Sequence, residues 1–572
     1  MASPRPSAAL TTALTRLRQE LQAAPLRLDV PEVAKARGSR NAMVSQLEDY
    51  ILPRLVQIDA PLLAVVGGST GAGKSTLVNS LVGRSVTAAG VLRPTTRSPV
   101  LVHNPADATW FGPDRILPEL ARTTSPSTDI GALHLVAVDT VPPGLAILDA
   151  PDVDSVETAN RTLAAQLLAA ADLWLFVTSA ARYADQVPWE FLKAAAERST
   201  AVAVVLDRTA PESVNEVRAH LARMLTSHGL RDSPLFTVPE SAVSAEGLLD
   251  PQAVAPVRGW LQELSADATA RAQIIAQTLD GAIRQVAFRT HEVADAVAEQ
   301  QRVTASLRHD AASAYRRAEA DLTEALGDGT VLRGEVLARW QEFVGAGGFA
   351  RTMEHHVSRL RDRFVAAVRG RGQSAEDVSS AVGHGLHVLL LEHAESAAER
   401  AHRSWSSTEP GRSLLQESQG VLGRASRDFR EKAERAVRDW QQQLLEVVRE
   451  EGADKRATAR FLAYGVNGLG VALMVVVFAS TAGLTGSEVG IAGGTAVVGQ
   501  KVLEAVFGDQ AVRRLAAQAR DDLVRRAHDL LQVEEERFVA LLDAVGADEQ
   551  SADRVRDAVR AVDDVRQAAR AR

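Results

Sequence analysis

The sequence predicts an α/β domain built on a mostly parallel sheet, followed by an elongated all-α stalk that carries a hydrophobic hairpin. Three observations predict it. A glycine-rich loop, Gly68-Ser69-Thr70-Gly71-Ala72-Gly73-Lys74-Ser75-Thr76, lies between an apolar run and a helical pattern. Short apolar runs separated by helices or loops continue to about residue 256, the pattern of a parallel sheet. Beyond that point strand signals cease and apolar residues recur at three- and four-residue spacing, as in packed helices.

A chain of 572 residues has the length for three or four domains. Its net charge of −8 argues against nucleic acid as a partner. Cysteine is absent, which excludes disulfides and thiolate zinc sites and suits a reducing compartment. Only six of the basic residues are lysines, a bias of GC-rich bacterial genomes. Met1–Leu21 shows no apolar core followed by a cleavage site, so no signal peptide is expected.

Taken in order, residues 1–59 carry two helical patterns, Ala8–Ala23 and Ala42–Val56, expected to pack on the stalk. Residues 60–256 form the α/β domain. Its strands are expected at 62–66, 99–103, 133–138, 145–149, 173–177, 201–206 and 235–238. The glycine-rich loop fits the pattern G-x-x-x-x-G-K-[ST], follows the strand Leu62–Val66 and opens the helix of Leu77–Val82. That context gives the motif its meaning. Its glycines let backbone N–H groups close around a phosphate, and the helix N-terminus adds a favourable dipole. Lys74 then reaches the β- and γ-phosphates, and the Ser75 hydroxyl coordinates Mg²⁺. The loop as a whole, Gly68 to Thr76, is the expected nucleoside-triphosphate site.

Asp149 ends the run Leu145–Leu148 and is placed to hold Mg²⁺ through water. Between the two lies Arg93-Pro94-Thr95-Thr96-Arg97-Ser98-Pro99, a loop in which a threonine can close on the γ-phosphate and complete the metal shell. The expected metal ligands are therefore Ser75, Asp149 and one threonine of that loop, Thr95 or Thr96, and the same threonine is expected to act with Lys74 in catalysis.

In order and spacing, Gly68–Thr76, Arg93–Pro99 and Leu148–Asp152 resemble the first three nucleotide-binding elements of dynamin-like GTPases. Leu81-Val82-Gly83-Arg84 and Thr96-Arg97-Ser98-Pro99 are similar to that family as well. The motif match covers about residues 60–250. The resemblance implies a P-loop GTPase domain, GTP as ligand, Mg²⁺ as cofactor and Thr96 as the switch threonine, with Thr95 second. It also implies a bacterial, actinobacterial, membrane-associated protein that forms homodimers or hetero-oligomers with a paralogous GTPase. Three departures stand out. Asp152 occupies the position of the glycine in D-x-x-G, and Thr70 that of the glutamine that positions water. Asp207-Arg208-Thr209-Ala210 replaces [NT]-K-x-D, so Asp207 and Arg208 are left to contact the base and the aspartate that reads guanine is missing. Slow or assembly-dependent turnover is expected.

Residues 257–460 read as the stalk. Helical patterns run from Trp260 to about Leu326 and over Leu332–Val344, Phe349–Val368, Ala375–Trp405 and Gly411–Glu451. Heptads are not sustained, which excludes a two-stranded coiled coil. His355-His356 and His384, His387 and His393 form no recognisable metal pattern.

Residues 461–507 read as a transmembrane or membrane-inserting hairpin. Phe461–Leu484 is 24 residues without charge, against the roughly 20 that span a bilayer. A polar turn at Thr485–Glu488 leads to the glycine-rich Val489–Gly499. Lys455, Arg456 and Arg460 precede the hairpin and Arg513, Arg514 and Arg520 follow it, which places both termini in the cytoplasm at the cell membrane. The alternatives are a hairpin that dips into one leaflet and an apolar helix pair buried in the bundle. Residues 508–572 are expected to return as helix to the stalk.

Two functions follow. One is a dynamin-like GTPase that remodels membrane through nucleotide-driven assembly. The other is a membrane-anchored slow nucleotide switch or scaffold, for example at the division septum. An ATP-driven transport component is a weaker third, because no transporter signature sequence accompanies the loop.

Overall fold

The computed structural model describes residues 8–88, 98–113, 115–127, 129, 131–155, 157–197, 200–344, 372–418, 421–453, 465–479 and 492–571. Among these residues eight strands form one sheet: β1 (Leu62–Gly68), β2 (Val100–His103), β3 (Ala121–Thr123), β4 (Ala132–Ala137), β5 (Leu145–Asp149), β6 (Leu173–Ser179), β7 (Ala201–Thr209) and β8 (Leu235–Pro239). Their spatial order is β3-β4-β2-β5-β1-β6-β7-β8. Every neighbouring pair is parallel except β2 with β5. The central strands β1, β5 and β6 are buried along their whole length. Continuous apolar runs such as Leu62–Val66 are what a strand covered on both faces requires. The expected strands are all present. β3, at the sheet edge and partly exposed, has no apolar run to announce it.

The chain divides into two compact units. The first comprises Met1–Leu26, Glu32–Ala298 and Glu549–Arg572 and contains the sheet. In it the N-terminal helix Ala8–Ala23 packs against the C-terminal helix Ser551–Arg570. Asp280 draws Arg566 (2.8 Å) and Arg570 (3.0 Å) onto the helix Ala268–Gly327, whose first half belongs to this unit. Asp267, in extended conformation, separates that helix from Pro251–Ala266, so the single periodic stretch read from Trp260 is two helices.

The second unit comprises Arg27–Pro31 and Glu299–Asp548 and is helical. The extended segment is held by Gln300, whose buried amide accepts from Leu28 N (2.8 Å) and donates to Leu28 O (2.9 Å). Trp405 packs edge-on against Phe538 and donates to Leu307 O at 2.9 Å. Gly411–Glu451, read as one helix, is Glu409–Glu417, a short 3₁₀ turn and Phe429–Ala453. The expected helix at Phe349–Val368 lies outside the described residues. The C-terminal stretch read as one helix is Asp509–Asp543 and Ser551–Arg570.

The hairpin expectation requires correction. Among the described residues no helix is long and apolar enough to cross a membrane. Within Phe461–Leu484 the described helix is Val466–Ala479, 14 residues, which spans about 21 Å against a hydrocarbon core of about 30 Å. Residues 461–464 and 480–484 lie outside the described residues. Gly468–Phe478 are buried against helices of the same unit. Phe478 meets Trp440, and Arg520 donates to Val477 O at 2.7 Å. A helix apolar on all sides satisfies protein and lipid surroundings equally, so uncharged sequence alone does not separate them. The multi-pass arrangement inferred from flanking charge loses its basis with the span.

Candidate functional site

The site forms where β1 ends and the helix Lys74–Val82 begins. Gly68 closes β1 at φ 147°, with Val177 O 1.9 Å from where a Cβ would stand. Only glycine fits there. Gly73, at φ 96°, caps the helix, and a Cβ on it would lie 2.2 Å from Asp207 Oδ2. Between them the chain folds into the loop that the motif predicts, with Ala72 N donating to Ser69 O at 3.2 Å. Lys74 turns back over the loop and donates to Ser69 O at 3.0 Å. Its ammonium is also ion-paired with Asp152.

Ser75 donates to Asp149 Oδ2 at 2.7 Å, and so does Thr87, also at 2.7 Å. Asp149 is fully buried at the tip of β5. Burial raises its pKa; the hydrogen bonds from Thr87 and Ser75 and the Lys74 charge oppose that rise, and Asp152 adds to it. Thr87 is positioned by Asn79, whose buried amide accepts from Val86 N (2.8 Å) and Thr87 N (3.0 Å) and donates to Thr87 O (2.9 Å). Asn79 thus fixes the segment after the helix and, through Thr87, the carboxylate of Asp149.

Mg²⁺ fits these residues. The second oxygen of Asp149, Oδ1, is buried without a hydrogen-bond partner, an acceptor left open beside the Ser75 hydroxyl. Among the described residues no group of three or more His, Asp or Glu could hold a metal by itself. Thr96, the third expected ligand, and Thr95 lie outside the described residues, as do His355 and His356. His384, His387 and His393 sit on one helix, Gly372–Ser406, and form no such group.

Asp207 and Arg208 lie near the end of β7, beside the loop. Asp207 is buried, accepts from Arg208 N (2.8 Å) and abuts Gly73, while Arg208 is exposed with left-handed backbone, φ 49°. Asp207 therefore faces the phosphate loop, and Arg208 is the member of the pair open to a planar ligand. Burial pushes the Asp207 carboxyl up to about 6 against the opposing pull of Arg208, with Glu240 raising it further. A carboxyl raised in the folded state stabilises fully below its ordinary value of 3.8, and that contribution is lost as pH rises through about 6. Asp207→Asn should accordingly stabilise the protein by about 2 kcal/mol near neutral pH and have no such effect below about pH 4. Thermal unfolding at the two pH values checks this. Equal shifts at both would refute the burial cost.

Two further participants escape sequence reading. Asp154 Oδ1 accepts from Thr70 N (2.6 Å) and Thr70 Oγ1 (2.5 Å), and its Oδ2 accepts from Arg182 at 2.8 Å. Neither residue belongs to a motif, and their contacts join sequence positions 28 to 84 residues apart.

No family model matches the chain, and no curated protein matches it. Among solved structures it is similar to two chains described as an oligomerised bacterial dynamin pair that provides a mechanism for long-range sensing and tethering of membranes. The first is 8% identical with a TM-score of 0.40, covering 97% of this chain and 99% of that one. The second is 9% identical at 0.39, covering 94% and 96%. LeoA, a bacterial dynamin GTPase from ETEC, is 10% identical at 0.23, covering 97% and 98%. Likeness at this level does not establish a shared family, and function has to follow from the site itself.

Proposed function

We propose that the chain is a P-loop GTPase that binds GTP with Mg²⁺ and hydrolyses it slowly, in association with a membrane and in assemblies with itself or a paralogue. The observation that carries the nucleotide reading is the phosphate loop: positive-φ glycines at 68, 71 and 73, Lys74 folded over it, and Ser75 joined to a buried Asp149. In this reading backbone N–H groups of Gly68–Thr76 orient the phosphates, and Lys74 supplies positive charge at the β- and γ-positions. Ser75 and Asp149 would hold Mg²⁺, which neutralises charge developing on the phosphates. Asn79 and Thr87 keep Asp149 aimed, and Arg208 offers a guanidinium face to the base.

The slow-switch reading is favoured over rapid remodelling by the residues around the loop. Thr70 stands where the resemblance expects glutamine, and its side chain is engaged by Asp154. Membrane contact rests on the uncharged Phe461–Leu484, and lipid would reach Gly468–Phe478 only after the helices covering them separate. Calorimetric titration with GTP and ATP tests the base preference: tighter GTP binding is expected, and tighter ATP binding would end the GTPase reading. Turnover measured with and without liposomes tests the rest. A slow rate unchanged by lipid supports the switch, whereas strong stimulation supports remodelling.

A further inference from the structure

The segment that leaves β5 carries two carboxylates, and both are bonded to the phosphate loop. Asp152 is ion-paired with Lys74, whose side chain is only 5% exposed. Asp154 takes both the backbone N–H and the hydroxyl of Thr70, while Arg182 holds its other oxygen. The segment is tied to β1 by two backbone bonds, Ala150 N to Val66 O (3.1 Å) and Val153 N to Gly68 O (3.3 Å). A lysine and loop N–H groups are the donors such a loop offers to an anion. Here two of them are already satisfied by the protein's own anions.

We propose that Asp152 and Asp154 act as an internal competitor for phosphate and so set how tightly the loop accepts nucleotides; this rests on the triphosphate reading of the loop. A ligand gains Lys74 only by displacing a charge-assisted hydrogen bond of the same kind it would make. A terminal phosphate with more than one negative charge offers more at that ammonium than a single carboxylate does. Ligands that reach Lys74 with less charge gain little by displacing Asp152. A ligand that displaces Asp152 bears the full cost of doing so, and one that leaves it in place loses no more than that; the pair therefore weakens all nucleotides, triphosphates at least as much as diphosphates. Arg182 contributes by keeping Asp154 on Thr70; it is a positioning residue.

The test uses the full chain with a fluorescent GTP analogue, GDP as competitor, and inorganic tripolyphosphate as a competitor without a base. Asp152→Asn should tighten the GTP analogue and tripolyphosphate by about tenfold, the worth of one charge-assisted hydrogen bond, and GDP by no more than that. Asp154→Asn should act in the same direction with a smaller change. Asp152→Gly serves as a second variant, and circular dichroism establishes that each is folded. Unchanged or weaker binding in folded Asp152 variants would overturn the proposal and leave Asp152 as the counter-ion of a buried lysine. Failure of wild type and variants alike to bind any of the three ligands would overturn the triphosphate reading itself, and this proposal with it.

Discussion

Replacing Lys74 by alanine will lower affinity for the fluorescent GTP analogue by about a hundredfold or more. Two effects add. The ammonium supplies charge-assisted hydrogen bonds to phosphate that backbone N–H groups do not replace. Its loss also leaves Asp152 as an unpaired carboxylate beside the phosphates, where its charge repels them. The second effect makes the expectation more specific than the motif alone allows. Lys74→Ala combined with Asp152→Asn should recover part of the lost affinity, because the repulsion is gone while the donor is still missing. Fluorescence titration of the three proteins measures both effects. Undiminished binding by Lys74→Ala would refute its assignment as the phosphate clamp, and a double variant no better than the single one would refute the repulsion.

The phosphate loop was legible because its pattern, its preceding strand and its following helix all lie within about twenty residues. The same locality made most of the sheet readable: Leu62–Val66, Leu145–Leu148 and Leu173–Val177 are apolar without interruption because both faces of these strands are covered. Ala121–Thr123 lacks that signature, since an edge strand of three residues buries little. What sequence reading could not reach was contact between distant positions. Asp152 is visible as a departure from a pattern, but its bond to Lys74 requires the fold. Asn79 reads as one polar residue on an amphipathic helix, and Thr87 as part of a loop, until their link to Asp149 is seen. The uncharged run Phe461–Leu484 misleads for a different reason. Its composition states that water is excluded and says nothing of what excludes it.

Arg54→Ala should destabilise the sheet-bearing unit by about 3–5 kcal/mol, the cost of leaving a buried charge without its partner. Arg54 and Asp172 are both fully buried. Arg54 Nε donates to Asp172 Oδ1 at 3.0 Å and its Nη2 to Pro61 O at 3.0 Å. Asp172 also accepts from Tyr50 (3.0 Å) and Leu63 N (2.8 Å), and its carbonyl accepts from Thr278 (3.1 Å). Burial raises the pKa of Asp172, and Arg54 is the largest influence opposing it. Without Arg54 the carboxyl either stays charged with two neutral donors or takes up a proton; both cost stability. Asp172→Asn strands Arg54 in the same way, so each single change is expected to be severe and the double change less than additive. The network joins the π-helical turn Leu47–Ile51, the starts of β1 and β6, and the helix Ala268–Gly327. Unfolding of a two-unit chain need not be two-state, so the readout should be local. Hydrogen exchange at the amides of Leu62–Gly68 should accelerate in both variants while amides of Phe429–Ala453 keep their wild-type rates. Unaltered exchange along β1 would sink the prediction. Because β1 runs directly into the phosphate loop, the same variants should bind the GTP analogue more weakly, with no charge at the loop having been changed.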